Sequence, residues 1–114
     1  MLSYRNRLHR AGFEQVTKKN RLYHNEYFSL RVSPALNKEP QSAVVISKKI
    51  AAKATERNLL KRRAHTIIQD IFKHHGSSEA TILFYKKAAA SLSFVGAKTE
   101  IENLFKEVNR LKRT

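Results

Sequence analysis

A strand–helix–strand pattern between residues 42 and 85 constrains this chain more than any other feature. Ser42–Lys48 contains the continuous apolar run Ala43-Val44-Val45-Ile46, which reads as a strand covered on both sides. A long amphipathic helix follows, with Leu60, Ala64, Ile67, Ile68 and Ile71 recurring on one face. Thr55 is placed to cap its start, and Glu56 to oppose the positive end of its dipole. His74, His75 and Gly76 are the stop signal. Thr81–Tyr85 is a second apolar strand. Two strands joined through a helix pair in parallel, ordinarily by a right-handed crossover.

The remaining segments attach to this unit. Leu8, Phe13 and Val16 outline a short helix over residues 8–17, weakened by Gly12. From Leu22 to Ser33 the residues alternate, with Phe28, Leu30 and Val32 on one side and Tyr27, Ser29 and Arg31 on the other. This predicts one strand with one buried face. Pro34 to Pro40 is a loop. Ser93 is placed to cap a last helix whose stripe is Ala97, Ile101, Leu104, Val108 and Leu111. The order is αββαβα: an α+β sandwich with a small mixed sheet, one domain over residues 1–114. With 41% hydrophobic residues the chain can fill one core and is not a disordered polycation.

Charge then says what the surface is for. The net charge is +14, and between Ser47 and His65 seven Lys/Arg face one Glu. On a helical wheel starting at Arg57, Lys61, His65, Asn58 and Arg62 fall at about 40°, 80°, 100° and 140°, beside a core stripe centred near about 310°. Cations in the first turns of a helix oppose its dipole, at about 0.3–1 kcal/mol each. Arg57 and Lys61 also repel across one turn. A polyanion would offset both costs, so this sector reads as a nucleic-acid contact, joined by Lys48 and Lys49 just upstream. Reversing Arg57 and Lys61 to Glu is expected to weaken RNA association and leave folding intact. The apolar helical faces read as core rather than as a membrane-lying surface. No apolar run approaches the length of a membrane span.

Ser47-Lys48-Lys49, seven residues, then Arg57-Asn58-x-x-Lys61-Arg62 on a helix resembles the protein subunit of bacterial ribonuclease P. The likeness runs along the whole chain, from Arg7-Leu8 through Phe13 and Val16, the Phe28-x-Leu30 strand, the basic helix and a C-terminal helix ending in Lys/Arg. Leu59 and His65 stand where that family usually has arginines, and Thr17 where it often has an aromatic. The resemblance implies a ribosomal-protein-like fold with a left-handed βαβ crossover. It also implies a cytoplasmic subunit of an endoribonuclease whose chemistry belongs to a catalytic RNA and its Mg2+. In that role the protein binds the RNA through Lys48, Lys49, Arg57, Asn58, Lys61, Arg62 and His65. It holds the single-stranded 5′ leader of precursor tRNA in a cleft between the first helix and the sheet, and needs no protein partner and no membrane.

The residues themselves suggest Phe13, Phe28 and Arg31 for that cleft, with Tyr23 and Tyr27 nearby, because stacking on aromatics among cations grips a single strand. Catalytic or metal-binding side chains are not expected. There is no cysteine, the nine acids are scattered, and the adjacent His74 and His75 point in different directions. The alternative is a basic structural RNA-binding protein, such as a small ribosomal protein. A sequence-specific DNA reader would need a recognition helix free to enter a major groove.

Overall fold

The computed structural model describes residues 4–34, 39–74 and 79–112. After a short turn at Tyr4–Asn6, the elements are α1 (Arg10–Lys18), β1 (Arg21–His24), β2 (Phe28–Pro34), β3 (Gln41–Val45), α2 (Ala54–His74), β4 (Glu79–Tyr85) and α3 (Phe94–Lys112). The sheet order is β1-β2-β4-β3. β1 and β2 pair antiparallel, as do β2 and β4, while β3 and β4 pair in parallel across α2. This is the mixed α+β sandwich expected, with one strand more.

The extra strand arises because the alternating segment folds back on itself. Asn25 accepts the backbone N–H groups of Tyr27 and Phe28 on Oδ1, both at 2.9 Å, and its own N–H reaches Phe28 O at 3.0 Å. An Asn side chain that mimics a turn in this way closes a hairpin. Lys86 Nζ donates to Asn25 O at 2.6 Å and Asn25 Nδ2 to Glu100 O at 3.3 Å, fixing the turn against β4 and α3.

The register puts Phe28, Leu30 and Val32 opposite Tyr85, Leu83 and Thr81, and Val44 opposite Leu83. These residues share one sheet face, which α2 and α3 cover through Ala64, Ile67, Ile68, Ile71, Phe72, Ala97, Ile101, Leu104, Phe105 and Val108. Edge-to-face contacts join Phe28 to Tyr85 and Phe72 to Phe105. The other face carries Ala80 and Ile82, onto which α1 packs Val16 with Leu8 and Phe13 half-buried. β4 is therefore the strand covered on both sides. β3 is an edge strand with Ala43 and Val45 half-buried, which corrects the doubly covered reading of that run.

The ends of the helices differ in smaller ways. α2 begins at Ala54, so Thr55 lies inside its first turn and Lys53 O receives the Arg57 N–H at 3.1 Å. Ser93 caps α3 as expected, accepting from Gly96 N at 3.0 Å. Gly12 allows α1 to sit over Leu8, whose Cδ1 is 2.7 Å from where a Cβ would be. Residues 35–38 of the Pro34–Pro40 loop, the His75-Gly76 stop and the Leu111 side chain lie outside the described residues.

Candidate nucleic-acid interface

Two surfaces carry the chemistry. The first is the N-terminal half of α2 with the turn that leads into it. Lys48 and Lys49 are exposed in that turn, whose Ser47 carbonyl accepts from Ile50 N and Ala51 N. Asn58 and Arg62 are exposed and Lys61 half-buried, and none of the side chains of Lys48, Lys49, Asn58, Lys61 and Arg62 has a hydrogen-bond or ion-pair partner among the described residues. Cations presented without protein counter-charges are what a phosphate backbone requires.

Arg57 is different. Its Nη1 donates to the carbonyls of Ala51 and Ala52 at 2.9 and 2.8 Å. It clasps the end of the turn that carries Lys48 and Lys49, and a carboxylate in its place would repel those same carbonyls, so reversing Arg57 is expected to loosen that turn as well as weaken RNA association. Leu59 is 47% exposed on the outer side of α2, an apolar side chain beside Arg62 and Arg63.

His65 continues the sector but is half-buried, with Nδ1 enclosed and unpartnered. Burial first, and then the positive charges of Arg7 and Lys61, push the imidazole below its ordinary 6.5. Arg7 is near because the N-terminal segment runs along β3. Leu8 N donates to Ser42 O at 3.0 Å, and Asn6 bridges Pro40 O and Gln69. Arg7 thus joins the α2 sector, although no local pattern in the sequence places it there.

The second surface is the sheet face beside α1. Ser29, Arg31, Val45 and Phe84 share that face, with Leu22 and His24 of β1 exposed at its rim. The Arg31 guanidinium stands over the Phe84 ring at 5.5 Å from its centroid, while its Nε is buried without a hydrogen-bond partner. Phe13 of α1 packs half-buried against the same cluster. Arg31 and Phe13 therefore lie together on this face.

Phe28, expected with them, does not. It is 0% exposed, on the opposite face against Tyr85, and cannot stack on a ligand. Tyr23 and Tyr27 also pack toward the α2–α3 core. The aromatic that replaces them, Phe84, was missed; its opposite parity to Tyr85 in β4 was the available signal.

Tyr85 itself is structural. Its hydroxyl donates to Leu60 O at 3.1 Å, and burial, partly countered by Arg63, pushes the phenol up to about 12. Among the described residues no three His, Asp or Glu come together in a way that could hold a metal ion.

The sequence model of the Ribonuclease P family matches residues 2–109. The chain is similar in fold to the RNase P protein of Staphylococcus aureus, with a TM-score of 0.76 and 22% identity, covering 90% of this chain and 94% of that one. It is similar also to the RNase P protein from Thermotoga maritima, with a TM-score of 0.75 and 22% identity, covering 83% and 89%. No curated protein sequence matches.

Proposed function

This chain belongs to the ribonuclease P protein family and is an RNA-binding component of that tRNA-processing endoribonuclease; from that membership we propose that it serves a catalytic RNA by gripping two different stretches of nucleic acid. The α2 sector, with Lys48, Lys49, Asn58, Lys61, Arg62 and His65, binds the folded RNA subunit through its phosphates. Arg57 contributes mainly by holding the Lys48–Lys49 turn in place. The α1-side sheet face receives the single-stranded 5′ leader of precursor tRNA.

The observation that carries the leader assignment is the Arg31–Phe84 pair on a sheet face that α1 only partly covers. A base can stack on the guanidinium plane that the ring backs, while the N–H groups of Arg31 meet its phosphate, a grip indifferent to sequence. In this reading Mg2+ is held mainly by the RNA, bond cleavage is carried out there, and the protein works in the cytoplasm. The protein supplies affinity and orientation.

Reconstitution with a bacterial ribonuclease P RNA tests this. Adding the chain should accelerate leader removal at limiting Mg2+. Arg31→Glu should abolish the preference for leader-bearing over mature tRNA while leaving association with the RNA subunit intact. If that variant kept the preference, the leader would have to lie elsewhere.

A further inference from the structure

The layer of the molecule away from α1 holds a groove of its own. Thr66, Ile67, Gln69, Asp70 and Lys73 of α2 and Phe94 and Lys98 of α3 line an open cavity of about 470 Å³, with the Gln69 amide also donating to Asn6 Oδ1. Neither the α2 basic sector nor the α1-side face includes it. We propose that this groove is a nucleotide-binding site that takes one unpaired base of an RNA strand, together with its phosphates.

The chemistry of the lining selects that occupant. Phe94 is 39% exposed, an unusual placement for a phenylalanine, and presents aromatic surface to the groove. Stacking on it is available to a base. Lys73 is exposed and Lys98 half-exposed, and neither side chain has an ion-pair or hydrogen-bond partner among the described residues, which leaves two ammonium groups for a phosphodiester. Asp70 touches His74 Nδ1 through Oδ1 at 3.5 Å. Its carboxylate accepts only, and so favours base edges rich in N–H donors: guanine, with N1–H and the 2-amino group, before cytosine and adenine, and uracil last.

An aromatic wall, one carboxylate and two ammonium groups within a space of this size match a nucleotide's π-face, donor edge and phosphate in turn. A protein partner would call for a broader apolar patch, and a membrane surface for bulky residues in a continuous face. The overall charge of +14 adds long-range attraction for the RNA strand.

Titration of the full chain with each nucleoside 5′-monophosphate, followed by backbone amide NMR, tests the assignment. Resonances of Thr66, Asp70, Lys73, Phe94 and Lys98 should shift, most with guanosine monophosphate. Phe94→Ala should weaken this binding by about five-fold to a hundred-fold, with its circular dichroism unchanged because the ring is partly exposed. Asp70→Asn should flatten the ranking of bases while binding persists.

Equal shifts on adding inorganic phosphate would reduce the site to an anion contact and overturn the proposal. So would shifts confined to the α1-side face and the start of α2. Neither result bears on the leader assignment, whose test reads leader dependence in the reconstituted enzyme.

Discussion

Arg57 shows how a side chain chosen by sequence for one role is used by the fold for another. Its two bonds to the Ala51 and Ala52 carbonyls are charge-assisted and half-shielded from solvent. Arg57→Ala should cost about 1–2 kcal/mol, read by urea unfolding, because the loss of an ionic donor exceeds that of a neutral one. The same variant should bind RNA more weakly than the count of lost charges predicts, since Lys48 and Lys49 lose their support.

His65 makes a second prediction at this scale. Its folded value lies below 6.5, so as pH falls the unfolded chain takes up the proton first. The contribution is complete above pH 6.5 and declines as pH drops from there through the folded value. Stability measured by denaturant titration should fall over that interval, and His65→Gln should remove that part of the slope.

At the scale of elements, the helices and β4 were readable because their apolar periods are set locally. The cap at Ser93 was equally readable: Ser93→Ala should cost about 1 kcal/mol and fray the start of α3, seen as lost helical ellipticity and a lower Tm. What escaped was non-local. The alternation from Leu22 to Ser33 sorted Phe28 from Arg31 correctly but could not say which face two helices would cover. That depends on the β2–β4 register and on the position of α1. The same gap hid Phe84, whose neighbours Arg31 and Val45 come from two other strands. The hairpin was missed because Leu22 shares the even parity of Phe28, Leu30 and Val32, whereas the Asn25 turn puts it on the opposite face, beside Arg31. In the basic sector, spacing alone placed Lys61, Arg62 and Asn58 on one side of α2. The backbone carbonyls that engage Arg57 belong to an irregular turn with no periodic signature.

The molecule as a whole is a three-layer sandwich, with α1 on one side of the sheet and α2 and α3 on the other. The α2 basic sector adjoins the β3 edge, the Arg31–Phe84 face lies under α1, and the far groove lies between α2 and α3. RNA affinity should be steeply salt-dependent. In filter binding over a salt series, Lys48→Ala with Lys49→Ala should lower the log–log slope by about 1.5–2, since each neutralised phosphate releases counterion.

The N-terminal segment that pairs with Ser42 has a further effect. β3 is a sheet edge containing Val44 and Val45, and such an edge can recruit a strand from another chain. By pairing at Ser42, residues 6–8 cover the start of that border and shorten the stretch left for an intruding strand to the part beyond it. The opposite border, β1, is only four residues long and carries the cation Arg21, two features that disfavour pairing with another chain.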